Sequence, residues 1–224
     1  IVKGMAIYNA NGSCMSISEG DGNTVQGCYI GITNTGLAGT FPVPGVTGIE
    51  IGGTANNGSA NNTIGGINPE DQNVIVGGIN LRGSQTIANI IQGNYIGTDK
   101  TGLVGIDQNG NGIGITDSSS YNLIGGSNIA MRNVISGNHS AGINLFGSET
   151  AYNSIINNFI GINATATAAL PNQSDGITIQ DGSHHNSIGL VGAGNIIAGG
   201  SNTILLIDEA SNNSIIGNYI GTDT

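Results

Sequence analysis

A phrase that returns at a nearly fixed interval limits this chain more than any other feature. NTVQGCYIGI begins at Asn23, NIIQGNYIGT at Asn89, NSIINNFIGI at Asn153 and NSIIGNYIGT at Asn213, at intervals of 66, 64 and 60 residues. A second phrase lies between these copies: NTIGG at Asn62, NLIGG at Asn122 and NSIGL at Asn186. A third reads NVIVGG at Asn73, NVISGN at Asn133 and NIIAGG at Asn195. A fourth, GIxI or close to it, starts at Gly48, Gly78, Gly112, Gly142, Gly176 and, in degenerate form, Thr203. GIxI is followed by two Asn-x-Ile phrases and then by GIxI again, in cycles of 30, 34, 30, 34 and 27 residues. Self-similarity at such a period marks a repeat architecture. Each cycle has room for three short strands and three turns, which predicts a triangular parallel β-solenoid of about seven coils.

Alternation within the phrases sets the inside of that solenoid. Two residues after each repeat Asn stands Val25, Ile64, Ile75, Ile91, Ile124, Ile135, Ile155, Ile188, Ile197 or Ile215. Side chains in a strand alternate, so the Asn and this apolar residue share the inward face. Stacked coils then place Ile over Ile and Asn over Asn about 4.8 Å apart, where amides can hydrogen-bond from coil to coil. The composition agrees. There are 40 Gly, 31 Asn and 36 Ile. Ile favours strands, while Gly and Asn suit sharp corners. Leu, Ala, Glu and Lys are too scarce for a helical bundle. Collagen would need glycine at every third position, and no apolar run is long enough for a membrane helix. A net charge of −10 with only four Lys and Arg excludes a phosphate-binding surface and hence nucleic acid.

GNYIGTD, NTIGG and NVISGN resemble the right-handed parallel β-helix repeats of the pectin-lyase-like superfamily. The likeness is strongest to the Asn/Gly-rich type of large bacterial and archaeal cell-surface proteins. It covers roughly residues 14–224 and implies an all-β, right-handed parallel β-helix with three short strands per coil. Residues 1–13 fit the cycle poorly and read as an irregular start or partial coil. Neither end reads as a polar cap, so 14–224 is expected to be one β-helix domain of a longer chain or a filament protomer. No signal peptide opens the chain, so any leader is expected to be removed or to lie outside it. Cys14 and Cys28 have no metal or redox spacing; a disulfide and two inert thiols both fit.

The resemblance does not extend to chemistry. The adjacent Asp pair, Gly-His-Gly and Arg-x-Lys of polygalacturonase-like members are missing. Four scattered basic residues cannot serve a lyase, and the net charge would repel polyuronides. One acidic column stands out. Five residues after each GIxI start come Gly53, Gly83, Asp117, Gly147, Asp181 and Asp208. Asp181 and Asp208, with Glu209 and His184–His185 close by, suggest a cation site, calcium being the natural ion, or a carboxylate pair. Gly alternating with Asp equally describes a plain turn. Asp107-Gln-Asn109-Gly-Asn111-Gly112 opens like a calcium loop, but Ser118 stands where a bidentate Glu is needed. Seven Asn-x-Ser/Thr acceptors permit glycosylation without indicating it. The outward first-strand column of Glu50, Asn80, Gly114, Asn144, Thr178 and Leu205 is too irregular for an ice-binding face.

The third strand carries an apolar column where alternation points outward: Tyr29, Val74, Tyr95, Val134, Phe159, Ile196 and Tyr219. Its aromatic members, Tyr29, Tyr95, Phe159 and Tyr219, predict an interaction face. Alternatively, the long loops at 31–47, 97–111 and 161–175, which carry Leu37, Phe41, Leu103, Val104, Leu170 and Pro171, fold over it. The expectation is therefore an extracellular, non-catalytic structural or adhesive segment of a surface protein or filament. It would associate with copies or neighbouring segments of itself, without membrane insertion. The competing expectation is a β-helix that binds or cleaves a neutral glycan.

Overall fold

A computed structural model describes residues 1–37, 46–53, 57–106 and 110–221. The chain is a right-handed parallel β-helix with three strands per coil, and every sheet pairing is parallel. The GIxI phrases form sheet 1: Ser13–Ile17, Thr47–Gly52, Ile79–Arg82, Ile113–Thr116, Ile143–Phe146, Ile177–Gln180 and Ile204–Leu206. Sheet 2 stacks Val2–Lys3, Thr24–Gln26, Thr63–Gly65, Ile90–Gln92, Leu123–Gly125, Ser154–Ile156, Ser187–Ile188 and Ser214–Ile215. Sheet 3 stacks Ala6–Ile7, Tyr29–Ile30, Val74–Ile75, Tyr95–Ile96, Val134–Ile135, Phe159–Ile160, Ile196–Ile197 and Tyr219–Ile220. Strands thus begin at Val2, ahead of the region where the repeat becomes readable. The described helical structure is two single 3-10 turns, Pro69–Asp71 and Ile129–Met131.

Register puts like on like. Ile64 pairs with Ile91, which pairs with Ile124, then Ile155, then Ile188. All five have no exposed surface. Equivalent columns run through Ile75, Ile96, Ile135 and Ile160 in sheet 3 and through Ile79, Ile113, Ile143 and Ile177 in sheet 1. Each side chain buried this way contributes about 1.5–3 kcal/mol, so a long core forms without tryptophan. GIxI begins with glycine because the coils pass closely there. A Cβ on Gly112 would lie 2.6 Å from Ile135 Cγ2 and 2.7 Å from the Gly142 carbonyl oxygen.

Two asparagine ladders run along the corners that open sheets 2 and 3. In the first, Asn62, Asn89, Asn122, Asn153 and Asn186 are all buried. The backbone N–H and Nδ2 of Asn89 both donate to Oδ1 of Asn122 at 3.0 Å. Nδ2 also donates back to the Ser59 carbonyl at 2.9 Å. Asn122 repeats the pattern on Asn153 and Thr86. The second ladder passes through Asn73, Asn94, Asn133, Asn158, Asn195 and Asn218. In the preceding coil Cys28 takes the ladder position, and its N–H donates to Asn73 Oδ1. A buried amide costs several kcal/mol when unpaired; here each rung satisfies the next. Cys14 and Cys28 are free thiols.

The corners alternate between tight and long. Gln26–Cys28, Gln92–Asn94 and Ile156–Asn158 turn sharply between sheets 2 and 3, through left-handed Gly27, Gly93 and Asn157. The same coils then carry the long loops between sheet 3 and sheet 1. In the intervening coils the order is reversed. This is the origin of the alternating cycle length.

Candidate functional site

Three surfaces bear on function: the third-strand stripe, the acidic column and the corner between sheets 1 and 2. The long loops cover most of the stripe. Val74, Val134 and Phe159 are buried and Tyr29, Tyr95 and Ile196 half-buried, while Tyr219 stays exposed. Val74 forms a small core with Ile32, Val76, Ile106 and Tyr29. Phe159 forms another with Val134, Ile162, Tyr95 and Ala164. Glycines seat the loops: a Cβ on Gly36 would lie 2.5 Å from the Tyr29 ring, and one on Gly102 3.0 Å from the Tyr95 ring. The loops also join one another. Lys100 N–H donates to the Gly36 carbonyl at 2.7 Å, and Ala164 N–H to that of Gly102 at 3.0 Å. Asp99 and Asn163 brace their loops from within, each accepting local hydroxyl and backbone donors. Phe41 lies outside the described residues.

The acidic column is a column of turns. Asp117, Asp181 and Asp208 adopt left-handed φ of 52°, 55° and 49°, and Glu209 follows at 65°. Asp181, Asp208 and Glu209 are exposed. Among the described residues no three His, Cys, Asp or Glu side chains stand close enough to hold a metal ion. The same left-handed turns fix the backbone of Asp181, Asp208 and Glu209, the residues of the cation reading. Asp117 accepts from Arg82 Nε at 2.6 Å, a bond that raises the guanidinium pKa. Asp107–Asn109 of the calcium-like loop lie outside the described residues, and Asn111 Oδ1 accepts from the Ala141 N–H. Of the glycosylation acceptors, Asn138, Asn163 and Asn172 are buried, and Asn138 and Asn172 form a third, shorter ladder.

Two further carboxylates, Asp71 and Asp175, are tied to the chain. Asp71 accepts from Lys3 Nζ at 3.0 Å and Asn68 Nδ2 at 2.8 Å, which hold it below the usual carboxylate range. Asp175 is buried, which pushes its pKa up. Bonds from Asn202, Thr178 and Ser174 outweigh burial and hold the carboxyl below its usual range. Among the described residues Asp175 is the one carboxylate along a groove of about 300 Å³ on sheet 1, which also contains Asn144, Thr178 and Gln180.

The corner between sheets 1 and 2 holds what sequence reasoning missed. Ahead of each ladder Asn, at three positions' distance, stands Ser59, Thr86, Ser119, Thr150 or Ser183, all fully buried. Their hydroxyls bond carbonyls such as Arg82 O, at 2.7 Å from Thr86. The signal was a Ser/Thr-x-x-Asn spacing. The residue directly before each ladder Asn turns outward in the left-handed region: Asn61, Ala88, Tyr121, Tyr152, His185 and Asn212, with φ from 55° to 58°. Tyr121 and Tyr152 stack with centroids 5.0 Å apart and planes 8° from parallel. Tyr152 stacks on His185 at 5.2 Å. His184 meets His185 edge-on, with Nδ1 atoms 2.8 Å apart. Tyr121 is 61% and Tyr152 46% exposed. Beside the same corner a cleft of about 370 Å³ is lined by Glu19, Asp21, Asn57, Ser84, Gln85 and Ile87, among others.

No family model matches the chain, no curated protein matches it, and no solved structure matches it. No described helix is long and apolar enough to cross a membrane.

Proposed function

We propose that this β-helix is a non-catalytic structural or adhesive segment of an extracellular surface protein or filament, of the Asn/Gly-rich kind that its repeats resemble. One observation carries the reading: the polar side chains are spent on holding coils together. Among the described residues every buried side-chain nitrogen and oxygen has a partner, and the ladders consume one asparagine after another. Among the described residues the sheet 1 groove offers the single carboxylate of Asp175, already engaged by four donors from three residues, whereas glycoside hydrolysis ordinarily needs two carboxyl groups. Association would use the row of long loops. It would depend little on Lys and Arg, because Lys3 and Arg82 are already paired with carboxylates.

A second reading, binding or cleavage of a neutral glycan, is favoured by the cleft beside the aromatic corner, where Glu19 and Asp21 stand together. Incubation with pectin, polygalacturonate, alginate and neutral glucans and mannans separates cleavage from the non-catalytic reading. The non-catalytic reading expects no new reducing ends. Product release that disappears in Glu19→Gln, Asp21→Asn, Asp181→Asn or Asp208→Asn overturns it.

A further inference from the structure

The left-handed column at the corner of sheets 1 and 2 is built from two kinds of residue. Asn61 and Asn212 are natural occupants of that backbone region. Tyr121 and Tyr152 are not; a bulky side chain there is strained, and such strain clusters at binding sites. The column turns these two rings and that of His185 outward at the coil repeat, and the two tyrosines remain exposed. On the side away from Tyr152, the next residue of the column is Ala88, which is exposed and carries only a methyl. The ladder of rings therefore stops one rung short, and one face of Tyr121 is left without a ring to stack on it. Ile87, next to Ala88, pairs across the coils with Ser120, next to Tyr121. Ile87 also lines the cleft of Glu19, Asp21, Asn57, Ser84 and Gln85. Glu19 Oε1 accepts from Asn57 Nδ2 at 2.6 Å and Asp21 Oδ1 from the Ala60 N–H at 2.7 Å. Each carboxylate retains a second oxygen that accepts hydrogen bonds.

We propose that this corner binds a neutral oligosaccharide, one pyranose seated on Tyr121 at the Ala88 rung and the next reaching into the Glu19–Asp21–Asn57 cleft. A pyranose has an apolar face of C–H groups and a rim of hydroxyl donors. The ring supplies the first match and the carboxylates and amide the second, the combination of apolar wall and few polar anchors that a small-molecule site needs. The acidic lip and the net charge of −10 select against uronates. This names the partner of the adhesive reading and rests on that reading's absence of turnover.

The test is a titration of the ¹⁵N-labelled protein with cellohexaose, mannohexaose and, as the anionic control, hexagalacturonate. Variants are Tyr121→Ala, which copies the residue that Ala88 already places at φ 56° in the same column, and Ala88→Tyr, which fills the vacant rung. Circular dichroism checks that both fold. A neutral hexamer should shift the amides of Ala60, Ile87, Ala88 and Tyr121, with each variant weakening it at least about tenfold and hexagalacturonate leaving them still. Absence of those shifts with both neutral hexamers at millimolar concentration overturns the site, as does binding unchanged in both variants. New reducing ends in the same tubes would instead overturn the non-catalytic reading and leave the location standing.

Discussion

A single asparagine on the ladder carries more than its own bonds. Asn122 accepts two from Asn89 and donates to Asn153 and to Thr86. Asn122→Ala strands two buried donors at once, and at 1–3 kcal/mol each the loss should be about 4 kcal/mol. Asn213, on the last described rung, is only half-buried, so water replaces the missing acceptor and Asn213→Ala should cost about 1 kcal/mol. Urea unfolding of both variants checks the contrast; equal losses would mean that the ladder is incidental. Asp175 gives a pH signature. Its folded pKa lies below the unfolded value of about 3.9, so its contribution is present above that pH and is lost as pH falls through the lower folded value. Asp175→Asn should flatten the decline in melting temperature below about pH 4 relative to the parent; an unchanged acid limb would refute the assignment. The inward Asn and Ile columns were legible because period two and the coil cycle both specify them. The Ser/Thr column was not noticed, because hydroxyl residues also abound at exposed turns and only the constant offset from Asn separates the two.

At the level of the element, the third strand shows what a short-range pattern leaves out. Alternation correctly turned Tyr29, Tyr95 and Phe159 away from the main core, but what lies over them depends on the path of a long loop. That path is set by close approaches at Gly36 and Gly102, seven residues after Tyr29 and Tyr95, which strand alternation does not reveal. The stripe is consequently two kinds of surface. Phe159 is 6% exposed and lies under the Arg132 guanidinium, 4.1 Å from its ring centroid. Phe159→Ala should cost about 3–5 kcal/mol, as for a core aromatic. Tyr219, at 63% exposure, occupies the same position in the repeat, and Tyr219→Ala should change stability by no more than about 0.5 kcal/mol. Thermal melts of the two variants decide the matter; a mild Phe159→Ala would mean that the loop does not close over the strand in solution.

For the whole molecule, stability should behave as a sum over coils and their interfaces, because the strands of each coil pair only with those of its neighbours. The alternation of corners adds a condition to that sum. Long loops rest on the loop two coils away, as Lys100 does on Gly36 and Ala164 on Gly102, so the unit that can be removed without mismatch is a pair of coils. Deleting residues 79–142 joins Gly78 to Ile143, the first and second positions of the GIxI phrase, and so restores that phrase intact. It keeps both ladders continuous and brings the 161–175 loop to the place of the 97–111 loop. Deleting residues 79–112 alone removes one coil and one long loop, leaving two tight-loop coils in contact and the 31–47 loop without its neighbour. The two-coil deletion should therefore melt cooperatively with an unchanged β-sheet signal per residue, whereas the one-coil deletion, although shorter by fewer residues, should melt lower and over a broader range. If the one-coil deletion proves the more stable, the two-coil unit is only a habit of the sequence, and the single coil is the unit of cooperative structure.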